Sequence, residues 1–210
     1  AGLGAALRLK DERGANVAVL SMGPPQAGLA LREALAMGAA EAILLTDRAF
    51  GGADTWATSS TLASAISGME YDFIITGRQA IDGDTAQVGP QIAEHLGIPN
   101  ISYAEELRVE DGYVVARRQY EDRNHMLKVK MPCLITALSE LNEPRYMTPR
   151  GIFEAFRERE VKILTRADLA IDDGNIGLKG SPTRVMKSFT KARSWAGLFG
   201  DAFRLARAWR

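Results

Sequence analysis

Three short apolar runs, NVAVLSM at 16–22, EAILLTD at 41–47 and YDFIIT at 71–76, alternate with stretches whose apolar residues recur at helical spacing. The helical stretches are 3–13, ended by Gly14; 26–39, with Leu29, Leu31, Leu35 and Ala36 as apolar positions; 53–69, with Asp54 as its cap; and 84–97, ended by Gly97 and Pro99. Strand and helix in this alternation predict a doubly wound α/β fold on a mostly parallel sheet. Ligands of such sheets sit beyond the carboxyl ends of the strands, which singles out the loops at 21–25 and 77–84.

From residue 100 the pattern changes. Residues 101–132 alternate apolar and polar positions around a turn at Asp111-Gly112, which predicts an antiparallel β-hairpin extension. CLITAL at 133–138 is continuously apolar and predicts a buried strand. The loop SELNEPRYMTPRG, a charged helix around 152–160 and a loop-like stretch after 171 follow. The last residues space Trp195, Leu198, Phe199, Ala202, Phe203, Ala206 and Trp209 as a C-terminal helical arm. The expected division is an α/β domain over 1–190 and an amphipathic arm over 191–210.

Composition adds mostly exclusions. With 46% hydrophobic and 25% charged residues the chain reads as globular, and 26 basic against 26 acidic residues leave no global field to recruit nucleic acid. The charge is unevenly placed: residues 184–210 hold seven Lys/Arg against Asp201, a local +6, leaving −6 on residues 1–183. One cysteine, Cys133, excludes an internal disulfide and fits a reducing, cytoplasmic setting. No apolar run approaches the roughly 18 residues of a membrane span. The chain opens inside a helical pattern without an initiator methionine, as expected of a sequence that starts after the true beginning. His95, His125 and Cys133 lie in different elements and make no metal set; His95 reads as half-buried and Cys133 as a core thiol. No nucleophile elbow, phosphate-binding lysine loop or G-x-G-x-x-G is present, so chemistry here would belong to a bound cofactor.

The loop GRQAIDGDTAQVGP, 77–90, carries two readings. In the structural one, Asp82-Gly83 makes a turn, Asp84 caps the next helix and Gln87 completes a capping box. In the functional one, the N–H groups of Thr85, Ala86, Gln87 and Val88 point unpaired from a helix N-terminus, and Gly89 lets a phosphate approach. The aspartates would repel a phosphate, so capping, ribose hydroxyls or an adenine amine suit them better.

This loop, with VAVLSMGPPQAGLALREALAMGA, ELNEPRYMTPRGIFEA and GLKGSPTRVMKSFT, closely resembles the β subunit of electron transfer flavoproteins across most of residues 5–190. The resemblance implies a heterodimer whose α subunit carries an FAD, and an adenine nucleotide in this chain. The ordinary group reads like D-D-D-x-N-Q-T-G and holds structural AMP. Here Asp82-Gly83-Asp84-Thr85-Ala86-Gln87-Val88-Gly89 looks like the electron-bifurcating group, whose β-subunit FAD takes hydride from NADH. One electron then goes to ferredoxin or flavodoxin. The other passes through the α-subunit FAD to a dehydrogenase or a quinone oxidoreductase, and membranes are met only through partners.

Carried over by position, the cofactor contacts are Ser21, Met22, Gly23, Gly77, Gln79, Asp82, Thr85, Ala86, Gln87, Val88 and Gly89. Packing is the alternative for Met22. Leu141, Asn142, Glu143, Pro144, Arg145 and Tyr146 resemble the start of a partner-docking loop, and the arm would lie on the α subunit. Glu154, Arg157, Glu158 and Arg159 replace a lysine-rich run, which argues against docking the same acyl-CoA dehydrogenases. The family's first strand and hairpin have no counterpart here, and Arg123, Asn124 and His125 depart from its hairpin pattern. Two other readings stay open: an ordinary β subunit holding AMP, and a stand-alone adenine-nucleotide module.

Overall fold

The computed structural model describes residues 1–81, 83–120 and 123–186. The expected arm, 191–210, and Asp82 therefore lie outside the described residues. Helix α1 (Gly2–Arg13) ends where Gly14 turns left-handed, φ 72°, and donates its N–H to the Lys10 carbonyl at 2.9 Å. Strand β1 (Ala18–Met22), helix α2 (Gly28–Met37), strand β2 (Glu41–Leu45), helix α3 (Thr55–Ser67), strand β3 (Phe73–Gly77) and helix α4 (Val88–Leu96) follow in the expected alternation. Then come β4 (Asn100–Glu110), β5 (Tyr113–Gln119), β6 (Asn124–Lys130), β7 (Cys133–Ala137), α5 (Pro149–Arg157) and β8 (Lys162–Leu164).

The strands form two sheets rather than the single one expected. One is parallel, in the order β1-β2-β8; the other runs β3-β7-β4-β5-β6, parallel across its first three strands and antiparallel in the β4-β5-β6 meander. Burial explains the split. The apolar strands β2 and β7 lie between neighbours and are almost wholly buried, whereas β1 and β3 are sheet edges and only half-buried. Helix α1 straddles the two sheets: Ala5 and Leu9 pack with Ile101, Ile135 and Leu141, while Leu7 packs with Leu31, Leu35 and Leu44. On the α3 side, Leu20 and Leu62 touch both the cluster around Leu45 and Phe50 and that around Ile92 and Leu134.

Asp111 (φ 43°) and Gly112 (φ 81°) make the expected tight turn between β4 and β5. Two arginines tie α2 to α5 reciprocally. Arg32 donates to the Ala155 and Arg159 carbonyls at 2.7 and 3.0 Å, and Arg159 donates to the Ala39 and Ala40 carbonyls just past α2, so the last turn of α5 and the segments after both helices are tied together. Strand β8, unmarked in the sequence pattern, extends the first sheet beside β2.

Cys133 is fully buried, and burial alone pushes its thiol up to about 11. A thiolate reagent at neutral pH should leave it untouched in the folded protein and titrate it only after denaturation, which a colorimetric thiol count will read.

Candidate functional site

Both candidate loops leave the carboxyl ends of parallel strands. Ser21 and Met22 close β1, half-buried, and the Gly23 N–H donates to the Leu45 carbonyl at 3.0 Å. Met22 packs, half-buried, against the cluster of Leu45, Phe50 and Ile176. Gly77 ends β3 opposite Ala137 of β7, and open space stands before it. The exposed loop then carries Gln79 and Thr85 to α4.

The helix starts later than the sequence pattern suggests. Asp84 and Ala86 adopt left-handed backbones, φ 48° and 54°, so the chain turns twice before Val88. Asp84 therefore does not cap α4; its carboxylate accepts from the Gln79 side chain instead. Gln87 is the N-cap without a capping bond, and no capping box forms. Its Oε1 instead accepts from Thr55 Oγ1 at 2.9 Å, which brings the N-termini of α3 and α4 together. Val88 and Gly89 are the first residues of α4 and have no intrahelical acceptor for their N–H groups; Pro90 has none to offer. A cofactor phosphate fits this end. Gly89 is buried where a β-carbon would stand 2.6 Å from Thr76 Oγ1 and 2.9 Å from Thr136 Cγ2, so glycine seats the first turn directly on β3 and β7.

The start of α3 carries a second cluster that the sequence only half revealed. Asp54 Oδ1 accepts from the Ala57 N–H at 3.0 Å, the expected cap. Its Oδ2 also accepts from the N–H and hydroxyl of Thr183, at 2.9 and 2.8 Å, and the Asp54 N–H donates to the buried Ser181 Oγ at 2.8 Å. Partial burial raises the Asp54 carboxyl, but the bonds from Ala57 and Thr183 outweigh it and hold the group below its ordinary value. After β7, Glu140 is likewise held low by its own backbone N–H, the Ser139 hydroxyl and, more weakly, the charge of Arg78.

The docking candidates divide by environment. Leu141 is buried in the core, and Asn142 is half-buried with its Nδ2 on the Glu143 carbonyl at 2.7 Å. Arg145 pairs with Asp11, while Glu143, Pro144 and Tyr146 face solvent. Helix α5, expected as a charged helix, also carries an exposed apolar face: Ile152, Phe153 and Phe156 are 41%, 52% and 46% exposed. Their i, i+1, i+4 spacing was the available signal. Two open grooves, one between α1 and the β4–β5 ribbon and one beside 158–162, are lined by residues of neither candidate loop, and half or more of each lining is charged. Among the described residues no group of three or more His, Cys, Asp or Glu is placed to hold a metal, and no helix is long and apolar enough to cross a membrane.

Known proteins bear on this geometry. The electron transfer flavoprotein domain model matches residues 1–169, and the model of the ETF-QO/FixC family C-terminal domain matches residues 180–210. The β subunit of the electron transfer flavoprotein of Clostridium acetobutylicum is 60% identical over 186 residues, 89% of this chain and 71% of that protein. The Caffeyl-CoA reductase-Etf complex subunit CarD of Acetobacterium woodii is 50% identical over 93% of this chain and 75% of its own. Protein FixA of Azotobacter vinelandii is 46% identical over 90% and 70%. With four-fifths of its length under one family model and β subunits matching nearly all of it, the chain belongs to the electron transfer flavoprotein family, as a β subunit.

Proposed function

We propose that this β subunit is of the electron-bifurcating kind: it holds FAD at the carboxyl ends of β1 and β3, and NADH is its electron donor. The observation that carries the reading is the make-up of the loop before α4. Against the pattern D-D-D-x-N-Q-T-G, this chain has Gly83, Ala86 and Val88 where Asp, Asn and Thr stand. Ala86 is half-buried and Val88 packs beside Ile92 and Leu134. Three polar side chains are thus removed from around the first turn, leaving backbone N–H groups as donors in a more apolar lining. This make-up resembles that of the electron-bifurcating group, and the preference for FAD over AMP is what that resemblance implies.

Bound FAD supplies hydride acceptance and single-electron release. The chain's own residues bind and orient it. The N–H groups of Val88 and Gly89 face an anionic group, Gln79 and Asp84 offer a polar pair to ribose or adenine, and Met22 supplies an apolar wall. With FAD bound, the acceptor partners would be ferredoxin or flavodoxin and, by way of the α subunit, a dehydrogenase or quinone oxidoreductase. The assembly is a cytoplasmic heterodimer that meets membranes through its partners.

Docking would use Glu143, Pro144 and Tyr146 together with the apolar face of α5. Replacing Phe153 and Phe156 by Asp should raise the KM for the acceptor protein on the order of tenfold or more, with nucleotide content unchanged. Steady-state transfer measured against acceptor concentration reads this.

The reading is tested by anaerobic titration of the αβ complex with NADH, followed by flavin absorbance. Bleaching by NADH alone is expected. A complex that dithionite bleaches and NADH does not would instead be an ordinary β subunit with AMP.

A further inference from the structure

Tyr103 lies in β4 with φ 61°, a left-handed backbone that a bulky residue rarely adopts. It falls inside the register shift between Ile101 and Ala104, where β4 slips against β7 and re-aims a side chain. The shift is pinned from below: the Tyr103 N–H donates to Thr136 Oγ1 at 2.9 Å, and Thr136 is 2% exposed. Thr136 is also one of the residues on which Gly89 of α4 closes. The bulge and the first turn of α4 therefore share one floor.

Placed this way, the Tyr103 ring lies 5.5 Å from the Arg78 guanidinium carbon. Arg78 Nε donates to Gln79 Oε1 at 3.1 Å, and Gln79 in turn donates to Asp84. No hydrogen bond from the two Nη groups of Arg78 to another described residue is found. The surrounding loop is acidic, with Asp84 and Glu140 described and Asp82 in the sequence. A phosphate reaching the start of α4 needs a cation to offset those carboxylates.

We propose that Arg78 binds the anionic phosphate of the nucleotide and that Tyr103 is the positioning residue that aims it. This rests on the nucleotide-site reading given above. The guanidinium donates from its Nη groups to phosphate oxygens, while Tyr103 limits the orientations the exposed side chain samples.

The test is calorimetric titration of adenosine, AMP and FAD into the full chain in complex with its α subunit, exchanged free of nucleotide, at two salt concentrations. Arg78→Gln should weaken AMP and FAD about tenfold or more and flatten their salt dependence, with adenosine unchanged. Tyr103→Phe should bind as wild type, and Tyr103→Leu should lose about threefold for AMP without losing adenosine. Equal losses for adenosine and AMP in Arg78→Gln would overturn the phosphate role, because the loop itself would then have collapsed. Tyr103→Leu behaving as Tyr103→Phe would overturn the positioning role. A wild-type complex that binds none of the three overturns the site reading itself, an outcome distinct from an Arg78 variant that binds AMP normally.

Discussion

Gly89→Ala should strip the nucleotide from this chain while leaving it folded. The added β-carbon would meet Thr76 Oγ1 at 2.6 Å and Thr136 Cγ2 at 2.9 Å, against the 3.5–4.0 Å of an ordinary contact. Thr136 sits in the buried centre of β7 and cannot step aside, so α4 must move outward by roughly 1 Å. The stability cost is small, because the overpacking penalty of about 1–3 kcal/mol is offset by about 1 kcal/mol of helix propensity gained on replacing glycine. The binding cost is large, because the N–H groups of Val88 and Gly89 move with the helix and a 1 Å misplacement costs on the order of 10²-fold. Nucleotide content of the purified complex and its melting temperature read the two effects separately. Thr76→Ala in the same chain removes the nearer obstacle and should restore part of the binding. Wild-type nucleotide content in Gly89→Ala would show that the start of α4 is not the cradle.

Asp54→Ala should cost about 2–3 kcal/mol, combining a lost helix cap with charge-assisted bonds to Thr183. The loss is not confined to α3. The segment 177–183 is held on that helix by Asp54 and Ser181, supported by the Leu178 N–H on the Gly51 carbonyl at 3.0 Å. Trypsin should therefore cut faster at Lys179 and Arg184 in the variant. The sign with pH follows from the lowered carboxyl. The folded state favours ionised Asp54, so its stabilisation is full above the unfolded-state value near 3.9 and fades as pH falls through the lower folded value. Wild type and Asp54→Ala should thus differ most in urea midpoint at pH 5–7 and converge on acidification toward pH 2–3. Equal midpoints at pH 7 would contradict the clasp.

The sequence pattern carried the alternation of elements well, because β1, β2, β3 and β7 are continuous apolar runs and α1 ends at a glycine that turns left-handed. The Asp54 cap and the Asp111-Gly112 turn were legible for the same local reason. The two sheets were not. An apolar run of five residues looks alike whether it lies between two strands, as β2 does, or at an edge, as β1 and β3 do. Strand β8 has only three residues, and its place depends on β2, which lies far off in sequence. At the candidate site, the order of glycines and acids located the loop, yet the left-handed turn at Ala86 is one that alanine does not announce. The start of α4, the bond from Thr55 to Gln87 and the bulge at Tyr103 follow from tertiary packing, so no local pattern marks them.

If this β subunit carries FAD, the purified αβ complex must give it up on denaturation. The direct measurement is the nucleotide released on denaturing the purified αβ complex, separated by chromatography and counted per heterodimer. Two FAD and no AMP is the expected result. One FAD and one AMP would contradict it, leaving this chain as a scaffold beside the α-subunit flavin.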